Sequence, residues 1–358
     1  MSPAALLSAS LTISLGMFHA RCFAQSVGSV VCWGGNVFGQ STPPETLGLV
    51  KQIAAGQVHT LAIDESDRVW AWGSNSFGES TVPKDLSTAH SISAGVNFSL
   101  AARIDGTVVA WGLNGNGQCT VPTSLRSVTE VACGSFHSIA LRADGTIALW
   151  GLNDYGQCNV LSGLGTVVSV RGGGRQTLTL NSEGQLRIWG RNSDGQCNVP
   201  FDLGTPSKFA SGYYHSLALT QSGAVRGWGW NPFGQASPPS TIGTAVAIAG
   251  GYWHSLAIRT DGSIVAWGGN DEGQLNVPTG LGRALAIAGG TRHSVAIVAP
   301  PCNGDVTRNG VVDGLDLAAV LNAWAATSQT EFDADVNNDG IVAGEDLAIV
   351  LGDWGNCP

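Results

Sequence analysis

The chain is poor in charge: only 12% of its 358 residues are Asp, Glu, Lys or Arg. No stretch gathers Lys and Arg, which argues against a surface built to neutralise nucleic-acid phosphates. Beyond the N-terminal segment, no run approaches the roughly 20 apolar residues that span a bilayer. Also missing are a nucleophile elbow, a His-Glu-x-x-His motif and a phosphate-binding glycine loop. Carboxylates are scattered without an evident acid/base pair, so the expectation is a protein that is not an enzyme. Glycine abounds instead, 50 residues of it, as many short strands joined by tight turns require.

The glycines belong to a repeat. Trp-Gly pairs begin at Trp33, Trp72, Trp111, Trp150, Trp189, Trp228 and Trp267, each 39 residues after the last. So constant a period means one supersecondary unit copied seven times. Features present in every copy are then structural, and function belongs where the copies differ. One copy, 130–160, reads as short apolar segments bounded by Gly or Asp-Gly. These are three strands and a weaker fourth, joined by tight hairpins. Asp105-Gly106, Asp144-Gly145 and Asp261-Gly262 suit two-residue turns with positive φ, and Asp67 tolerates that conformation in the first copy.

A four-stranded antiparallel unit repeated seven times predicts a β-propeller. Small residues such as Ala132-Cys133-Gly134 fit the crowded innermost strand, and the Trp residues belong farther out, wedged between blades. The ends support closure. The first Trp-Gly strand lacks a preceding partner and the last His-Ser strand a following one, so together they complete a blade and leave no exposed edge. The repeated His (59, 137, 215, 254, 293) gives way to Phe98 and Gln176 in the other copies, which excludes a ligand ring. A hydrogen-bonded His within the blade is the expectation.

Val108-Val109-Ala110-Trp111-Gly112, Gly117-Gln118, Ala249-Gly250-Gly251 and His254-Ser255-Leu256-Ala257 resemble repeats of the regulator of chromosome condensation family. The resemblance covers about 27–298. The short uniform repeat is closer to secreted bacterial members, including the propeller-type β-lactamase inhibitor, than to the nuclear exchange factor. It implies a seven-bladed propeller used as a monomeric binding platform, with the partner unspecified.

In an antiparallel meander alternate turns lie at opposite ends. The two residues before each His and the Asn-x-x-Gly loops therefore share one face, and this set varies freely among copies. Tyr213, Tyr214, Trp230, Phe233, Tyr252 and Trp253 fall there in two consecutive copies, with Phe136 and Tyr155 nearby and Asp154, Asp194, Asp271 and Glu272 bordering. Exposed aromatics on a rigid scaffold are favoured interface anchors. The resemblance to the inhibitor, whose aromatic turn residues make its contacts, implies the same face.

Beyond the linker 299–301 the composition changes. Residues 302–358 hold ten of the chain's 26 acidic side chains and only one of its 17 basic ones, Arg308. Two loops 30 residues apart run into apolar helix-like stretches. Asp305, Thr307, Asn309, Val311, Asp313 and Asp316 occupy positions 1, 3, 5, 7, 9 and 12 of the first. Asp335, Asn337, Asp339, Ile341 and Asp346 occupy positions 1, 3, 5, 7 and 12 of the second, with Ala343 at position 9. Oxygen ligands at those positions, the seventh through its main-chain carbonyl, wrap a hard cation, and Gly310 and Gly340 make the bend at position 6. Two calcium ions are expected. The pair of loop-helix units resembles a type I dockerin, which implies attachment through a cohesin-type partner. Cys302 and Cys357 flank the segment and are expected to be bridged. Cys119, Cys158 and Cys197 share one repeat position, where neighbouring sheets lie about 10 Å apart, too far for a disulfide. They read as small core residues.

The apolar stretch 4–18, followed by Cys22-Phe23-Ala24, reads as a secretory signal cut before Gln25. The expected organisation is a signal peptide over 1–24, an all-β seven-bladed propeller over 25–298, and a small α-helical, EF-hand-like calcium domain over 302–358. The expected function is that of a secreted or cell-surface binding protein. The alternatives are a carbohydrate-binding component of a polysaccharide-degrading system and, from the family resemblance, a guanine-nucleotide exchange factor.

Overall fold

The computed structural model describes residues 27–300, 302–307, 311–324, 334–337 and 341–356. The proposed signal peptide, Asn309, Asp339 and Cys357 lie outside them. Seven three-stranded antiparallel sheets follow one another. Each is a meander: an inner strand, a middle strand opening on the repeated His position, and an outer strand ending in Trp-Gly. The first complete blade consists of Val50–Ala55, His59–Asp64 and Val69–Gly73. The second has inner strand Ala89–Ala94, the third Val128–Cys133, the fourth Val167–Gly172, the fifth Pro206–Ser211 and the sixth Ala245–Gly250.

The seventh blade closes the ring. Its inner and middle strands are Ala284–Gly289 and His293–Val298, and its outer strand is Ser29–Gly34 from the other end of the propeller. Ser29 pairs with Val298 and Gly34 with His293, antiparallel and in continuous register. Closure leaves His293–Val298 paired on both sides, so the last strand has no open edge.

The expected fourth strand is not formed among the described residues. After each Trp-Gly pair the chain curls back on itself. In the third blade, Asn153 Oδ1 accepts from Cys158 N at 2.8 Å and Gly156 N donates to Asn153 O at 3.2 Å. The Asn side chain thus takes the amide a fourth strand would have paired, and Gly156 sits at φ 76°, off the extended range.

Blades are held together in three layers. The hydrophobic clusters straddle neighbours; one joins Leu61, Ile63 and Val69 of the first blade to Ala89, Ile92 and Trp111 of the second. A buried polar latch lies above. The carbonyl of Gln40 accepts both Trp72 Nε1 and Thr60 Oγ1 at 3.0 Å, and the same pair of donors recurs on Glu79, Gln118, Gln196, Gln235 and Gln274. Finally, amides on the His-bearing end donate from blade to blade around the axis, from Gln57 N to Gly95 O through to Thr291 N to Gln57 O. That circuit crosses the seam between last and first blades with the same bond as elsewhere.

The C-terminal segment has helices α1 (Gly314–Asn322) and α2 (Gly344–Gly352) and a short pairing of Val311–Val312 with Gly355–Asn356. Val306, Val312, Val320, Ala323, Ala334, Val342 and Val350 form its core.

Candidate interaction face and calcium loops

The Asn-x-x-Gly loops and the residues before each His meet at one end of the propeller. Ser74 N, at the start of one loop, donates to Val58 O at 2.9 Å, and Gly269 N to Trp253 O at 2.8 Å. Six aromatic rings gather there in a closed circuit. Tyr213 touches Tyr214 at 4.3 Å between centroids, Tyr214 touches Trp230 at 5.9 Å, and Trp230 touches Phe233 at 5.6 Å. Phe233 touches Trp253 at 5.8 Å, Trp253 touches Tyr252 at 4.8 Å, and Tyr252 stacks back on Tyr213 at 4.0 Å. Phe233 is exposed and the other five rings are half-buried. Ring contacts among the described residues do not extend to Phe136 or Tyr155. Phe136 is half-buried in the third blade, and Tyr155 is exposed.

Three arginines that the sequence reading left out of the site fill the margin. Arg191 lies 4.3 Å over Tyr214 and pairs with Asp194 at 3.1 Å. Arg292 lies 5.5 Å over Trp253 and pairs with Glu272 at 2.9 Å. Arg175 lies 5.2 Å over Tyr155 and pairs with Asp154. Each cation is fixed between a ring and a carboxylate, so the rim is organised before any partner arrives. Arg175 and Arg292 stand at the freely varying positions before the His, which was the available signal. Burial, together with the neighbouring tyrosines, holds the hydroxyls of Tyr213 and Tyr252 above the usual phenol range, so they remain protonated donors.

The repeated histidines are structural. His59, His137, His215, His254 and His293 are fully buried, and each Nε2 lies 2.8–3.1 Å from a Ser or Thr hydroxyl of the next blade. Those hydroxyls already donate to the latch carbonyls, so each His is the donor and carries its proton on Nε2. Phe98 makes no such bond, and Gln176 Nε2 donates instead to Ser211 Oγ on the inner strand of the next blade at 3.1 Å. Cys32, Cys119, Cys133, Cys158 and Cys197 are unbridged. Cys119, Cys158 and Cys197 donate Sγ–H to the backbone carbonyls of Leu113, Leu152 and Arg191, and burial pushes all three thiols up to about 11.

In the C-terminal loops the twelfth-position carboxylates point inward. Asp316 and Asp346 are fully buried. Asp316 accepts from Thr307 N at 2.8 Å, Thr307 Oγ1 at 2.9 Å and Asp313 N at 2.9 Å. Asp346 accepts from Asn337 N at 3.1 Å and Ala343 N at 2.7 Å. Burial alone would raise both carboxyls, but these donors outweigh it and hold them below the usual range. Each carboxylate is therefore ionised and held at the centre of its loop by positions 3 and 9, an arrangement that fits a hard cation. Asp313 also caps α1, accepting from Leu315 N at 2.7 Å; Ala343 leaves α2 without that side-chain cap. Among the described residues no three acidic, His or Cys side chains converge. Asn309 and Asp339, the fifth-position ligands, lie outside them. Cys302 is disulfide-bonded, and its partner falls outside the described residues, as Cys357 does.

The regulator of chromosome condensation (RCC1) repeat matches residues 50–79, 89–118, 128–157, 207–235 and 245–274, and the type I dockerin domain matches 303–351. Modules of both kinds are in general non-catalytic binding modules, and type I dockerins bind calcium. No curated protein sequence matches the chain. Among solved structures, Prp20p of Saccharomyces cerevisiae is 19% identical with a TM-score of 0.66, covering 78% of this chain and 93% of that one. Human WBSCR16 is 19% identical with a TM-score of 0.63, covering 76% and 100%. The ectodomain of the Arabidopsis thaliana receptor kinase ACR4 is 22% identical with a TM-score of 0.57, covering 70% and 93%. Among the described residues no helix is long and apolar enough to cross a membrane. The chain is a seven-bladed propeller of regulator of chromosome condensation repeats followed by a type I dockerin domain.

Proposed function

We propose that the chain is an exported adaptor. Its propeller recognises a protein through the face centred on Tyr213, Tyr214, Trp230, Phe233, Tyr252 and Trp253, and its tail, loaded with two calcium ions, fastens it to a cohesin-type receptor outside the cell. The closed circuit of six rings carries the reading of the face. An aromatic centre with a rim of preformed ion pairs is the anatomy of a protein–protein hot spot.

Carbohydrate binding is the weaker reading. A sugar stacks on an open ring face, and here the faces are largely taken. Tyr213 and Tyr252 cover each other at 4.0 Å, Arg191 covers Tyr214 and Arg292 covers Trp253. In the tail, the inward Asp316 and Asp346 support calcium loading, and the dockerin match at 303–351 supports the cohesin-type receptor.

The test is affinity capture from the host's extracellular fraction with the full chain, in calcium and in chelator. Tyr214→Ala with Trp253→Ala should abolish one captured protein without altering calcium-dependent capture of a second. Retention of both by the double variant would rule out this face. N-terminal sequencing of the native protein should start near Gln25, and an uncleaved cytosolic chain would point instead to the exchange-factor alternative.

A further inference from the structure

The rings of the aromatic face are inclined to one another, and the angles between them govern what they can hold. Trp230 meets Tyr214 at 62° and Phe233 at 70°, and Phe233 meets Trp253 at 48°. These four rings form a row with three clefts, each an open angle between walls whose centroids lie 5.6–5.9 Å apart. Phe233, inside the row, is 46% exposed, so the clefts on either side of it are reached from solvent. Such clefts admit a compact ring wedged between two walls rather than a flat ring stacked on one.

The hydrogen bonding of this surface is one-sided. Trp72 and Trp267 donate their indole N–H to latch carbonyls. Among the described residues Trp230 and Trp253 make no such bond, and neither N–H is buried. An indole donates and cannot accept. Arg175, Arg191 and Arg292 are each paired with a carboxylate, so these rim arginines offer no free cation to draw an acidic ligand. The centre calls for an uncharged occupant rich in acceptors and poor in donors.

That requirement separates the ways in which a polypeptide can bind. A helix uses its carbonyls internally, and a β-strand brings an N–H with each carbonyl. A polyproline II segment has no internal hydrogen bonds, so its carbonyls are free, and each proline lacks the N–H. Its residues advance about 3.1 Å each, so two of them span about 6 Å, close to the spacing of the ring row. Grooves lined by aromatic rings hold segments of this kind.

Resting on the reading of this face as the protein-binding site, we propose that the partner engages it through a proline-rich segment in the polyproline II conformation. Its pyrrolidine rings wedge between Tyr214, Trp230, Phe233 and Trp253, and its carbonyls accept from the two indole N–H groups.

The full chain in calcium would be titrated calorimetrically with a peptide of ten prolines and with a glycine–serine peptide of the same length. Decaproline should bind saturably, and the glycine–serine peptide at least tenfold more weakly. Phe233→Ala should weaken decaproline at least tenfold. Trp230→Phe keeps a ring but removes a donor, and should weaken it about fivefold, the worth of one hydrogen bond. Tyr155→Ala, outside the ring circuit, should change nothing, and all three variants should keep the melting temperature of the unaltered chain. No saturable decaproline binding, equal binding of the glycine–serine peptide, or full affinity in Phe233→Ala would overturn the assignment. The face is tested separately by capture. If Tyr214→Ala with Trp253→Ala abolishes capture while decaproline does not bind, the face stands and the proline-rich occupant falls.

Discussion

Each buried His fixes its neighbours and is fixed by them. A Cβ on Gly134 would lie 2.0 Å from His137 Cε1, and the same ring-on-glycine contact recurs at Gly56, Gly212, Gly251 and Gly290. The glycine immediately before the variable pair is thus set by the imidazole packed on it. Burial lowers the pKa to about 4 for His59, His137 and His215 and to about 3 for His254 and His293, against 6.5 for a free imidazole. Unfolded chains take up these protons below 6.5 and the folded chain does not. Stability is therefore fully present above pH 6.5 and drains as pH falls toward 4. Each His contributes a slope of the same sign in that window. Denaturant midpoints should drop sharply between pH 6.5 and 4.5, and His137→Gln, the residue the fourth blade uses at Gln176, should reduce the slope by one proton. A midpoint flat across that window would contradict the neutral Nε2–H assignment.

At the scale of strands, the 39-residue period foretold the blades, their number and the closing pair, because turn glycines and the Trp-Gly ends punctuate every copy. The fourth strand was misjudged because its residues are polar enough to satisfy one another locally. Asn153 and its equivalents bind the amide five residues on, a competition between side chain and ladder that composition alone does not reveal. Closure rests on six consecutive residue pairs between Ser29–Gly34 and His293–Val298, and on Trp33, whose Nε1 donates to Gln274 O at 2.9 Å. Deleting residues 27–34 removes that buried Trp, worth about 3–5 kcal/mol, and opens a strand edge. The shortened chain should lose its single cooperative transition and associate through His293–Val298, as light scattering would show. Unchanged cooperative unfolding of a monomer would mean that the ring is not held by this strand.

The whole molecule joins two modules with different grounds for stability. The six-ring cluster was legible because residues 39 apart sit side by side around the ring, so a list of positions became a surface. The arginines over those rings were not, since their placement depends on side chains reaching across loops. In the tail, helices of nine residues fall below the roughly 12–15 at which isolated helices persist. Their seven small core residues offer little burial. Asp316 and Asp346 sit as ionised carboxylates inside their loops, an arrangement that a divalent cation at the loop centre would stabilise and that its removal would leave repelling the other loop oxygens. Chelation should therefore abolish the helical ellipticity contributed by α1 and α2, leave the propeller's main unfolding transition where it was, and recover on adding calcium. Asp346→Asn should halve the calcium bound, and Asp316→Asn should also disturb Thr307 and Asp313, whose donors it serves. Ellipticity indifferent to chelator, or a propeller transition that shifts with it, would show that the modules are not built on these separate grounds.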